Sequence, residues 1–70
     1  TLAAYTVPLD HPVIGYRIDH VQWPTDTVLT AILRDGVPVA PSADVVIEGG
    51  DELFFITTLD GEDQIRALFA

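Results

Sequence analysis

The 70-residue chain carries eleven acidic residues against three arginines and no lysine, which gives a net charge of −8 at pH 7. This surface excludes DNA, RNA and anionic lipid as main partners, because proteins bind polyanions chiefly through Lys and Arg. A chain this short buries only about 60% of its unfolded surface, and it has no cysteine for a disulfide. We therefore expect one small domain that is supported by a second copy or by a longer parent chain.

The first residue and the lack of methionine bear on whether the segment is part of a longer protein. It begins at Thr1 and contains no methionine, which favours the interpretation that residues 1–70 are one domain of a longer protein. No apolar run approaches the roughly 18 residues that a membrane helix needs. We therefore expect no direct membrane insertion of this segment.

The first third of the chain predicts a strand followed by a short helix. Leu2–Leu9 mixes β-branched and aromatic residues and reads as a strand that ends near an edge at Pro8. Asp10–Pro12 is typical of a helix start, and Trp23-Pro24 ends the segment. The apolar residues between them recur at helical spacing, which predicts an amphipathic helix: Ile14, Ile18 and Val21.

A strand pair follows. Thr27–Leu33 is apolar on both faces, the pattern of a central strand that is covered on both sides. Asp35-Gly36 is a strong hairpin signal. Val37–Ala40 is predicted as the return strand, and its Pro38 requires that strand to lie at an edge.

The last third predicts a loop at Pro41–Asp44, a short extended piece at Val45–Ile47 and a final strand at Leu53–Thr57. Asp60 is predicted to cap a terminal helix that buries one apolar stripe. The stripe is formed by Ile65, Leu68 and Phe69. The order β-α-β-β-β-α predicts a small two-layer α+β domain, in which helices pack on a mostly antiparallel sheet.

The stretch Glu48–Glu52 concentrates three carboxylates around two glycines. An EF-hand loop needs oxygen ligands at alternating positions over about twelve residues, but residues 53–56 are apolar. A general acid–base pair would need partial burial beside a pocket, whereas a turn is normally solvated. We predict a structural glycine turn that leads into the last strand.

Other side chains give little support for catalysis or metal binding. His11 and His20 lie outside the i,i+4 spacing that places two ligands on one helix face. Ser42, the only serine, is not in a nucleophile motif. We predict that the protein is not an enzyme and holds no metal. Arg34 keeps two interpretations, an ion pair with a neighbouring acid or a contact with an anion at the mouth of the sheet.

Three motifs occur in a fixed order. The first is Ile14-Gly15 with Ile18 three residues later, and the second is Arg34-Asp35-Gly36. The third consists of Pro41, Asp44, Ile47, Gly50, Asp51 and Leu53. In this order and spacing the chain resembles the TrkA-C domain, also called the RCK C-terminal domain, over nearly its whole length.

The resemblance implies a regulatory domain of a potassium or other monovalent cation transport system, located in the cytoplasm at the inner face of the cell membrane. Such domains follow a nucleotide-binding RCK domain or the cytosolic end of a membrane cation transporter. They pair as homodimers and bias gating of the membrane pore. Some members bind cyclic di-adenosine monophosphate in the cleft between the two copies.

The resemblance also implies where a ligand would lie. The cleft in those members is built from the helix, the strand after it and the proline-bearing loop, where apolar side chains can sandwich adenine rings. Ligand-binding members carry a basic residue just after the helix, where this chain has Trp23-Pro24, so His20 or Arg34 would have to substitute. The implied ligand-binding residues are Ile14, Ile18, Thr27, Val28, Arg34, Val39, Ala40 and Pro41.

Two functions therefore stay open. The first is a ligand-sensing regulatory domain whose dimer cleft binds a small nucleotide. The second is a ligand-free dimerisation module that holds a transport regulator together. Neither needs a resident cofactor.

Overall fold

The computed structural model describes residues 1–70 and has four strands and one α-helix. The strands are β1 (Leu2–Thr6), β2 (Val28–Arg34), β3 (Val37–Val39) and β4 (Glu52–Ile56). They form one antiparallel sheet in the order β1-β4-β2-β3. The helix α1 (Leu59–Leu68) follows β4. The predicted class, a small α+β domain with a mostly antiparallel sheet, is confirmed.

The predicted first helix is wrong. Residues 9–16 form turns, and only Ile18–His20 adopt a single 3₁₀ turn. Gly15 has a φ of +92°, which interrupts a helix, and Arg17 is extended with a ψ of 147°. Backbone groups of this segment bond instead to the Val45–Ile47 region, where the Gly15 N–H donates to the Ile47 carbonyl at 2.9 Å. A short segment with a central glycine gains little from helix formation, so these distant partners prevail.

The β2–β3 hairpin is confirmed. Asp35 and Gly36 have φ values of +53° and +76°, the pair of positive angles that a type I′ turn requires. Pro38 lies opposite Leu33 on β3, which is an edge strand, so its missing N–H costs no ladder bond on the outer side.

One face of the sheet, the inner face, carries the hydrophobic core. Ile32, Leu53 and Phe55 are fully buried there against Ile65 and Phe69 at the end of α1. The Trp23 ring covers Phe55 at a centroid distance of 5.2 Å. The turn-rich segment before β2 contributes Val7, Val13 and Ile18 to the core, and the loop before β4 contributes Ile47.

The start of α1 differs from the prediction by two residues. Thr58, not Asp60, is the N-cap, because its hydroxyl accepts a hydrogen bond from the Gly61 N–H at 3.0 Å. Asp60 lies in the first turn. Ile65 and Phe69 form the predicted buried stripe, but Leu68 is exposed.

The opposite face of the sheet is not covered by this chain, and we call it the outer face. The prediction that β2 is covered on both sides is therefore wrong for the single chain. Strand alternation and register place one set of residues on this face. They are Leu2, Ala4, Thr6, Val28, Ala31, Leu33, Pro38, Glu52, Phe54 and Ile56.

Candidate functional site

An apolar row crosses the outer face. Leu2, Ile56 and Val28 are direct neighbours on three adjacent strands. Their side chains are 67%, 49% and 60% exposed. Large apolar side chains that are clustered and exposed mark binding surfaces, whereas scattered ones do not. The outer face is therefore the surface of this domain that is best suited to bind a partner.

A groove of about 600 Å³ opens at the β2–β3 end of the outer face. Its walls are almost wholly apolar and contain no charged residue. It is lined by Thr30, Ala31, Ile32, Leu33, Pro38, Val39, Ala40, Pro41 and Phe54. Such a groove can accept a flat ring or an apolar side chain by contact alone.

Half of the residues implied by the family resemblance lie at this surface. Val39, Ala40 and Pro41 line the groove, and Val28 belongs to the apolar row. Val28, Ala40 and Pro41 therefore lie on one side of the domain, whereas Val39 is opposite Ile32 and packs its side chain against the core on the inner face.

The other four implied residues lie elsewhere. Ile18 is buried in the core, and Ile14 packs beside it near Gly49. Thr27 places its hydroxyl 2.7 Å from the Thr57 hydroxyl, close to the start of α1. Their displacement follows from the missing first helix, because turns now carry Ile14 and Ile18 under the inner face.

Arg34, the fourth of these residues, forms an ion pair with a buried carboxylate, Asp51. Its Nε and Nη2 each donate to one carboxylate oxygen of Asp51 at 2.9 Å, a bidentate geometry. Nη2 also donates to the Val46 carbonyl, and Nη1 lies 2.9 Å from the Glu48 carboxylate. The sequence left two interpretations of Arg34 open, and the structure supports the ion pair with neighbouring acids.

Asp51 is only 1% exposed. Burial disfavours its charged form, but the hydrogen bonds from Arg34 and from the Glu48 N–H, together with the attraction of the guanidinium, outweigh that effect and lower the pKa of Asp51. The hydrogen bond to Asp51 raises the pKa of Arg34 in turn. The pair therefore stays ionised at neutral pH and ties the β2–β3 hairpin to the loop before β4.

The predicted glycine turn at Glu48–Glu52 is confirmed. Gly50 has a φ of +85°, and its N–H donates to the Val7 carbonyl at 2.8 Å. The sequence did not reveal that Asp51 is a buried partner. The sequence feature that could have indicated this contact is the occurrence of both Arg34 in the Arg-x-Gly motif and Asp51 in the Gly-Asp motif.

The remaining cations are also engaged. Arg17 pairs with Asp19 at 2.7 Å, and Arg66 pairs with Asp63 at 2.8 Å and Glu62 at 3.2 Å. Both ring nitrogens of His11 contact backbone groups, one accepting from the Val13 N–H at 3.0 Å.

The chain has neither a cluster of metal ligands nor a helix that could span a membrane. No three or more His, Cys, Asp or Glu side chains are grouped so that they could hold a metal ion. The helix α1, ten residues long, is neither long enough nor apolar enough to cross a membrane.

Fold and site together define a small α+β domain with one face packed and the other face open for a partner. Residues 2–70 match the TrkA-C domain family, and the chain belongs to that family. Its structure also resembles an RCK domain solved with cda, with a TM-score of 0.84 over 100% of this chain and 99% of that chain. At 14% identity, this second likeness concerns the fold.

Two proteins are similar to this chain in sequence as well as in fold or family. The Trk system potassium uptake protein TrkA of Mycobacterium tuberculosis is 36% identical over 67 residues, which is 96% of this chain. The chain spans only 30% of the length of that protein. The RCK_C domain dimer of S. agalactiae BusR in complex with c-di-AMP is 27% identical, with a TM-score of 0.83 over 97% of this chain and 93% of that chain.

Proposed function

We propose that this domain is a regulatory module of a potassium transport system and that it works by pairing with a second copy through its outer face. The observation that carries the proposal is the exposed apolar row of Leu2, Ile56 and Val28. The family, the potassium uptake relative and the dimeric RCK_C neighbour support it. The regulatory role makes the domain a binding module, with no reaction of its own.

The residue pattern of β2 supports pairing through this face. A strand that is apolar on both sides is normally covered on both sides. Here α1 and the preceding loop cover one side only. A second copy that packs its outer face on the first would cover Val28 and Ala31 and would make one isologous interface with two-fold symmetry.

The parent protein is also part of the proposal. We place the domain in the cytoplasm, at the inner face of the cell membrane, attached to an upstream nucleotide-binding RCK domain or to a membrane cation transporter. In that setting a change in pairing alters the spacing of the attached domains and so biases the transporter.

A cyclic dinucleotide at the dimer cleft is the second candidate, because the BusR neighbour is a complex with c-di-AMP. The groove wall that includes Ala40 and Pro41 suits a flat base. The two phosphates are not matched, since no basic residue lines the groove and all three arginines bind carboxylates of their own chain. The residues present therefore fit the rings of this ligand and do not fit its charge.

Sedimentation equilibrium tests the pairing. Ile56→Gln removes the centre of the row from both copies at once. Burial of one such side chain contributes about 1.5 kcal/mol, so two copies lose about 3 kcal/mol and the dimer Kd rises about a hundredfold. The matched control is Leu59→Gln, since Leu59 is 73% exposed but belongs to α1. Equal Kd values for the two variants would contradict the proposed surface.

A transport assay tests the regulatory role. In the parent protein, Ile56→Gln should impair control of potassium uptake, whereas Leu59→Gln should not. If both variants regulate uptake like the unmodified protein, the pairing has no regulatory role.

Thermal denaturation separates the two candidates. A ligand of the folded domain that is present at 100 times its Kd stabilises it by about 2.7 kcal/mol. We expect no shift of the Tm with cyclic di-adenosine monophosphate. A shift that Pro41→Ser reduces would establish the groove as its site and favour the ligand-sensing function.

A further inference from the structure

The charges of this domain are arranged so that two copies repel each other. Each chain has a net charge of −8 and no lysine. Arg17, Arg34 and Arg66 are each within 2.9 Å of a carboxylate of their own chain. None of the three arginines belongs to the outer face, so an acid of the second copy finds no cation to pair with there. Electrostatics between copies is therefore repulsive overall.

The attraction between copies comes from a different source. The outer face is apolar except for polar Thr6 and one carboxylate, Glu52. Apolar burial depends little on monovalent salt at moderate concentration, whereas repulsion between exposed charges is screened by it. The two contributions can therefore be changed independently.

The size of the domain sets the salt range over which the balance changes. Two copies stacked on their outer faces have their centres about one thickness apart, and the smallest extent of the domain is 21 Å. The screening length is about 30 Å at 0.01 M salt and about 8 Å at 0.15 M. At a separation of about 21 Å, screening leaves about half of the repulsion at 0.01 M salt and less than about a tenth of it at 0.15 M salt.

We infer that ionic strength controls the association of the two copies. Raising the concentration of monovalent salt favours the dimer, and lowering it favours the monomer. The inference rests on the proposed pairing through the outer face and names its regulation. A regulator of cation transport gains in this way a response to total salt that needs no bound ligand. Dimers held by complementary charges behave in the opposite way, since salt weakens them.

Sedimentation equilibrium of the 70-residue chain in 0.01 M and 0.15 M KCl tests the inference. We expect the Kd to fall at least about tenfold as the salt rises, because the repulsion is screened. A Kd that is unchanged or that rises would overturn the inference and leave the dimer standing. A chain that stays monomeric in both solutions would instead contradict the proposed pairing.

Replacing KCl with NaCl or choline chloride separates screening from a bound ion. Screening depends on ionic strength alone, so the three salts should give the same Kd at equal concentration. A dimer that closes in KCl but not in choline chloride would show that a specific ion acts, and it would overturn the inference.

A charge variant provides the second control. Asp10, Asp26 and Asp35 make no side-chain hydrogen bond or ion pair shorter than 4 Å, and the triple change to Asn keeps their shape. Asn also tolerates the positive φ of Asp26 and Asp35. Removing three of eight net charges reduces the repulsion, and with it the salt dependence of log Kd, to about 0.4 of the original. An unchanged salt dependence would contradict the inference.

Discussion

Both faces of the sheet are apolar, but only one of them is covered. On the inner face, Ile32 and Phe55 are fully buried under α1 and the segment before β2. On the outer face, Val28 and Ile56 belong to the same two strands and stay exposed. A 70-residue chain with one helix has cover for one face only. An apolar pattern therefore predicts that a face is buried, but it does not show whether the same chain or a second one covers that face.

The largest expected effect comes from two adjacent phenylalanines of β4 that point to opposite faces. Phe55→Ala leaves a cavity in the core and should lower the free energy of unfolding by about 3–5 kcal/mol. Phe54→Ala removes a partly exposed ring of the outer face and should cost about 1 kcal/mol in the monomer. Urea denaturation at low protein concentration measures both values. Similar losses would mean that the two faces do not differ.

The ion pair behind the hairpin should have the next largest effect. Arg34→Met leaves the Asp51 carboxylate buried without a partner, which costs about 3 kcal/mol of stability at pH 7. Arg66→Met removes exposed, solvent-screened ion pairs from α1 and should cost far less stability than Arg34→Met. Urea denaturation of the two variants compares the stability lost with a partly buried arginine and with an exposed one. Equal losses of stability would contradict the role assigned to Asp51.

The pH dependence of that effect has a defined sign. The folded pKa of Asp51 is lowered, so its stabilisation is present above the unfolded value of about 3.9 and is lost as the pH falls through the folded pKa. In Arg34→Met the buried carboxylate takes up a proton more readily. The stability gap between the unmodified chain and this variant should therefore narrow between pH 7 and pH 3. A gap that widens towards acid would show that Asp51 is not the group concerned.

The smallest effect is expected on the outer face itself. Ile56→Gln should change the unfolding free energy of the dilute monomer by less than about 1 kcal/mol, because its side chain is already exposed. Its effect should appear only at concentrations at which the unmodified chain is dimeric. Denaturation over a hundredfold concentration range makes this comparison, and a large loss in the monomer would mean that Ile56 belongs to the core.

Much of the fold could be predicted because its signals are local. The Asp35-Gly36 turn, the β-branched strands and the terminal helix are each specified by neighbouring residues. The first helix was predicted wrongly because Ile14, Ile18 and Val21 do have helical spacing. What decides this segment is distant, since its backbone bonds to residues 45–47.

The site was predictable only in part. The family resemblance directed attention to the proline loop, and Ala40 and Pro41 line a groove there, but their role in ligand binding stays a prediction. Burial of Asp51 beside Arg34 depends on a contact between residues 17 positions apart, which no spacing rule reveals. The exposed row was missed because the pattern of β2 indicates a strand with two covered faces and does not say what covers the second.

The pairing of outer faces can be tested most directly by a distance between the two copies. The chain has no cysteine, so Thr6→Cys at the corner of the outer face and Ala67→Cys on α1 each allow one spin label per copy. Two sheets that pack face to face lie about 10 Å apart. Double electron–electron resonance in 0.15 M KCl should therefore give a clearly shorter distance for labels at residue 6 than at residue 67. A shorter distance for residue 67 would place α1 at the interface and contradict the proposed pairing.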